Sequence, residues 1–214
     1  MRWQRYRGSM RSCVVPPAAV LAGRLWLIVA LLAARALPAD EAEAQQPMPQ
    51  PGDELDFPGG MLTVNCERWR VTDIDRDGYL VSRCGNYELL RANNANLNPV
   101  KVIDGKGRTV ISFDPFYPEL SFPLFEGKQW TGHYVGYSAA TIIPWSADIS
   151  CKVTDYFPEP QPAFRIECEE HWHVALIGGT THTVRWYSPV YGAVVRVVNR
   201  EHPEWNERLK GWRD

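Results

Sequence analysis

The sequence predicts an all-β protein, an antiparallel β-sandwich or a strongly curved, partly closed sheet with a short C-terminal helix. Three observations support this. The stretch Cys151 to Cys168, CKVTDYFPEPQPAFRIEC, places two alternating apolar runs around a proline-rich turn, with its cysteines equidistant from Glu159-Pro160. From Leu62 onward, valine, isoleucine, threonine and aromatics occur in short runs separated by Gly, Pro and Asn clusters, the pattern of strands and turns. No long 3.6-residue periodicity appears before the C-terminal end.

The chain begins with a targeting signature. Arg2, Arg5, Arg7 and Arg11 precede the uncharged run LWLIVALLAA (Leu25 to Ala34), and small residues follow. Residues 1–44 read as a signal peptide, cut at Ala42-Glu43-Ala44 or, as second choice, at Ala34-Arg35-Ala36. The apolar run is about half the roughly twenty residues a bilayer span needs, so no span is expected in the mature chain. Cys13 precedes the apolar run, where it cannot be the lipid-modified cysteine of a lipoprotein. The expected location is periplasmic or secreted. Residues 1–44 hold six arginines and three acids, so the mature chain keeps 17 Lys+Arg against 22 Asp+Glu, a net charge of −5. A mild negative charge favours solubility and disfavours nucleic acid or anionic lipid as partner.

Residues 45–60 are rich in proline and glycine and read as a flexible leader. A single β domain is expected over 61–200. LTVNCERWRVT turns through DIDRDG into YLVSRC. NYELLRA meets the breaker NNANLNP before VKVID, and DGKG joins that run to RTVISFD. The crossing PFYPELSFPLFEG then leads to KQWTGHYVGYS. In the tail, 201–214, Pro203 to Lys210 fits a short helix with proline in its first turn.

Four cysteines remain after processing, Cys66, Cys84, Cys151 and Cys168, an even number in an oxidising compartment. Of three pairings, Cys66–Cys84 with Cys151–Cys168 is preferred. On the hairpin, Ile149, Cys151 and Val153 share an apolar face with Phe164, Ile166, Cys168, Trp172, Val174 and Leu176. Arg165, Glu167, Glu169, His171 and His173 face the other way. The next turn is expected at Gly178-Gly179-Thr180, pairing Val184 with Val174 and Trp186 with Trp172, because this buries large apolar groups.

Two motifs suggest metal. Asp73, Asp75, Asp77 and Gly78 match the first half of a calcium loop, but Cys84 stands where the closing Glu belongs. A polar hairpin turn is the first reading and a partial calcium site the second; no other cofactor is expected. His171 and His173 share a strand face, as zinc ligands can, but the three-residue turn places His182 on the opposite face, favouring a solvated strand. No GxSxG, glycine-rich phosphate loop or free mature thiol points to catalysis. Trp69, Trp130, Trp145, Trp172, Trp186, Trp205 and Trp212 supply either a core or the wall of an apolar groove.

SFPLFEGKQWTGHY (Ser121 to Tyr134), the cysteine-closed hairpin and RWYSPVYGAVVRVV (Arg185 to Val198) follow one another in an order that resembles a family of exported bacterial β-sheet proteins. That family carries FPLxxGKxW and WYxPxxG elements, and the resemblance covers roughly residues 119–198. The family's P-x-G-x-F-like turn is replaced here by PEPQPAF, without the glycine. The resemblance implies an antiparallel sheet domain in the cell envelope and supplies no catalytic residues. Three functions are therefore expected, in order: a non-enzymatic envelope module that binds a partner protein or is structural, a carrier of a small apolar ligand, and an enzyme.

Overall fold

The computed structural model describes residues 42–56, 66, 68–92, 96–141 and 143–212. The basic segment and apolar run at the start lie outside the described residues, as does the expected domain start at 61. A two-residue strand, β1 (Glu43–Ala44), comes first, then β2 (Glu54–Asp56) and β3 (Arg68–Ile74). Next are β4 (Tyr79–Cys84), β5 (Tyr87–Ala92), β6 (Asn98–Ile103) and β7 (Thr109–Asp114). A crossing leads through β8 (Leu124–Phe125) to the long strands β9 (Gln129–Ser138), β10 (Trp145–Phe157), β11 (Ala163–Val174) and β12 (Ile177–Ser188). β13 (Ala193–Asn199) and β14 (Glu207–Arg208) complete the chain.

Twelve of these strands form one antiparallel sheet in near-sequential order from β2 to β14; β1 pairs only with β8. The sheet is strongly curved. β2 and β13 lie near its opposite ends yet touch each other, and Ala193 packs in one cluster with Trp69, Leu89 and Val102. The interior is apolar because strand periodicity makes it so. Along β10, Ala147, Ile149, Cys151 and Val153 are buried, while Asp148, Ser150 and Lys152 between them are exposed.

Both disulfides form as expected, Cys66–Cys84 and Cys151–Cys168. Cys151 stands directly opposite Cys168 in the β10–β11 ladder, and the intervening turn contains a cis Glu159–Pro160 bond. Each bridge closes a loop of comparable length, 18 and 17 residues apart, and contributes on the order of 3 kcal/mol. Among the described residues no helix is long and apolar enough to cross a membrane. The two disulfides are consistent with an exported chain.

Three expectations need correction. The leader 45–60 is not free where it is described. Pro49 is buried, β2 pairs with β3, and β1 sets the buried Ala44 against Leu124. Cleavage after Ala44 would cut this strand away, whereas cleavage after Ala36 would keep it. In the tail, Pro203–Trp205 makes only a single 3-10 turn, and β14 adds to the sheet. The turn between β11 and β12 is Ala175-Leu176, not Gly178-Gly179-Thr180: Val174 pairs with Ile177, Trp172 with Gly179, and Glu169 with His182. Val184 and Trp186 consequently face outward, and Arg185 inward. Trp186 is still covered there, because Leu209 and Trp212 of the tail build a small outer core with Ala163 and Val195 against which it packs.

Candidate functional site

The inner face of β7 and β9–β12 is built in rows that alternate large and small residues. Phe113, Gly136 and Trp145 lie in register in one row, and Tyr134, Ala147, Trp172 and Gly179 in the next. The glycines are required by the indoles. A Cβ on Gly136 would come within 2.2 Å of the Trp145 ring, and one on Gly179 within 2.6 Å of the Trp172 ring. Each indole therefore lies against bare backbone, an aromatic covering a strand glycine. Trp172 is fixed by its Nε1–H donating to Thr181 Oγ1 at 3.1 Å.

Gly132 does the same for the crossing, since Pro118 sits where its Cβ would be, 2.6 Å away. The crossing is pinned from the other side by two asparagines of the breaker segment. Buried Asn98 donates to the Leu120 carbonyl at 3.0 Å and accepts from its N–H at 2.9 Å, while Asn96 accepts from the Phe122 N–H at 2.9 Å. This brings Tyr117 over the inner face, its ring 5.2 Å from those of both Phe113 and Tyr134.

A polar cluster forms beneath. Arg185 lies 5.2 Å over the Tyr117 ring and donates through Nη2 to the Tyr117 hydroxyl. Tyr117 OH points to Glu170 Oε2 at 3.5 Å, and Tyr134 OH donates to Glu170 Oε1 at 2.6 Å. Glu170 enters this face in the row of Ile149 and Thr181. Burial pushes both tyrosine hydroxyls far above the ordinary phenol range, with the Glu170 charge acting in the same direction, so both remain donors. At Arg185 burial opposes the charge, but the Glu119 and Glu170 carboxylates and the hydrogen bond to Tyr117 more than offset it and the group stays cationic. Arg185 is 1% exposed, and its Nε and Nη1 meet no acceptor among the described residues. The positive and negative groups are matched: Glu170 by Arg185 through Tyr117, and Glu119 by Arg91 at 3.9 Å.

Above this cluster the curved sheet leaves a cleft of about 620 Å³. Ile111, Phe113, Trp145, Trp172, Val174 and Val197 give it apolar walls; Tyr117, Tyr134, Glu170 and Arg185 give it a polar end. The C-terminal tail supplies a further wall through His202, Glu204, Trp205 and Glu207. Its volume is that of a small-molecule site, mostly apolar with a few convergent polar groups.

The residues singled out in the sequence lie elsewhere. Asp73, Asp75 and Asp77 form the β3–β4 turn, where Asp75 Oδ1 accepts from the N–H groups of Asp77 (3.0 Å) and Tyr79 (2.8 Å). Gly78 takes φ +82°, and Asp73 Oδ1 is occupied by the Ile74 N–H, so these carboxylates shape a turn. His171 and His173 are on the outer face, and the observed register puts His182 beside them, correcting its expected placement. His171 Nε2 lies 3.0 Å from Glu169, while His182 Nδ1 lies 2.7 Å from Glu201. Among the described residues no group of three His, Cys, Asp or Glu is arranged to hold a metal.

Glu170, Arg185, Tyr117 and Tyr134 are absent from the sequence-derived candidates. Glu170 was accessible to that reasoning, since it falls in phase with Cys168 and Trp172 on the apolar face. Arg185 was hidden by the register error, and Tyr117 by lying in an irregular crossing. No family model, no curated protein and no solved structure matches this chain.

Proposed function

We propose that the protein is a non-enzymatic carrier or sequestering module, periplasmic or secreted, that holds a small, largely apolar molecule in the concavity of its sheet. The 620 Å³ cleft carries this reading, with its aromatic floor and convergent polar groups. The two flat indoles supply area for an apolar body. The convergence of Tyr117, Tyr134, Glu170 and Arg185 at the cleft favours an oxygen-bearing end, and the internal balance of Arg185 against Glu170 favours an uncharged one. A second function, binding of an envelope protein, draws support only from the exposure of Leu176, Ile177 and Ile143.

Titration with N-phenyl-1-naphthylamine, a neutral apolar fluorophore, tests the proposal. One saturable site per chain is expected, displaced by a long-chain alcohol more readily than by the corresponding fatty acid. Thr181→Trp, which fills the cleft next to Glu170, should abolish binding. No saturable site, or one retained in Thr181→Trp, would refute the carrier reading.

A further inference from the structure

Hydrogen-bonding capacity at the polar end of the cleft is unevenly used. Tyr134 and Tyr117 both direct their hydroxyls at Glu170, the first to Oε1 at 2.6 Å and the second to Oε2 at 3.5 Å. Arg185 donates through Nη2 to the Tyr117 hydroxyl, while its Nε and Nη1 are buried out of reach of the cleft. A carboxylate can accept about four hydrogen bonds. Glu170 receives one short and one long, and it is half-buried in the cleft wall. What these four residues leave over is therefore acceptor capacity, on Glu170 Oε2 above all. Thr181 stands directly across the β11–β12 ladder from Glu170 and lines the same cleft. The Trp172 Nε1–H occupies Thr181 Oγ1 at 3.1 Å, and the Thr181 O–H has no acceptor among the described residues.

We infer that Glu170 and Thr181 form a rung that reads a hydroxyl group, so that the ligand is an un-ionised alcohol on an apolar body. The inference rests on the carrier reading and narrows its oxygen-bearing end to one functional group. A hydroxyl both donates and accepts: it gives its hydrogen to Glu170 Oε2 and takes the Thr181 hydrogen on its oxygen. Side chains directly opposite in a ladder start about 4.5–5.5 Å apart, a span that one oxygen roughly 2.7–2.8 Å from each partner can bridge. An ether or a ketone can only accept, which leaves the Glu170 acceptor desolvated and unmatched. A carboxylate is repelled by the Glu170 charge. An ammonium only donates, and Arg185 already offsets that charge through Tyr117. The apolar body has its place next to the rung. Trp172 follows Glu170 on the same strand face, about 6–7 Å along β11, with its ring seated on Gly179.

Competition against N-phenyl-1-naphthylamine on the full chain, using n-decanol and its isomer methyl nonyl ether, tests the inference. The alcohol should displace the probe at a concentration about tenfold or more below that of the ether, the ratio expected for a hydrogen bond to a charged group. Glu170→Gln sets an amide donor where Oε2 accepts, with Tyr134 still on the carbonyl oxygen, and should erase or reverse that ratio. Thr181→Val should weaken binding of the alcohol, corrected for the probe's own affinity, by about fivefold. Three results would overturn the inference while sparing the carrier reading: equal displacement by alcohol and ether in the wild-type chain, an alcohol preference retained in Glu170→Gln, or alcohol affinity unaltered in Thr181→Val. The first and the third need no folded Glu170→Gln. Failure of the carrier reading has a different signature, a probe with no saturable site in the wild-type chain, and the inference falls with it.

Discussion

Glu169 and Glu170 are adjacent in the chain and opposite in surroundings. Glu169 stands on the outer face beside His171 and His182, about half exposed, in pairs that water can replace. Glu170 stands on the inner face, held by two tyrosines whose hydroxyls are kept protonated by burial, with a buried guanidinium behind them. A strand step of one residue separates a solvated ion pair from a buried hydrogen-bonded network. Charge on the outer face tunes solubility; on the inner strand face it gathers in the polar cluster at Glu170 and Arg185.

The contrast can be broken first at Arg185. Arg185→Met leaves Glu170 without its balancing charge and should cost about 3–5 kcal/mol, read as a lower urea midpoint at unchanged slope. A loss below about 1 kcal/mol, the range of a surface pair, would mean that the two faces do not differ. A smaller effect is expected at the floor. Gly179→Ala forces the Trp172 ring off its backbone seat and should cost about 1–3 kcal/mol, together with a change in tryptophan emission. The smallest effect belongs to the outer face, at Glu201. The His182 N–H and then its imidazole hold the Glu201 carboxyl down to about 2, from an ordinary 4.5. Because the folded value is the lower one, its contribution is complete above pH 4.5 and fades as pH falls toward 2. Glu201→Gln should therefore flatten the dependence of Tm on pH within that window and leave it unchanged near neutrality.

Most of the fold was legible in the sequence. The runs YLVSRC, NYELLRA and RTVISFD match β4, β5 and β7 to within a residue or so, because alternation and turn residues act locally. The Cys151–Cys168 pair was legible because hairpin symmetry fixes register. The site was much less so. Gly178 and Gly179 suggested a turn, since glycine tolerates positive φ, yet the turn uses Ala175 at φ +53° and the glycines make room for the His173 and Trp172 rings. That choice reversed the faces of β12 and concealed Arg185. Nothing local announces that Leu209 and Trp212 will return to cover Val195 and Trp186, which is what allows Trp186 to face outward.

The seating of two indoles on bare backbone also bears on what the protein can discriminate. A floor without protruding side chains is a table, not a mould: planar or chain-like molecules of different width can lie on it with similar gain. Selection among them then falls to the one end where oxygen and nitrogen atoms converge. Such a receptor would be tolerant of outline and strict about the position of a single heteroatom.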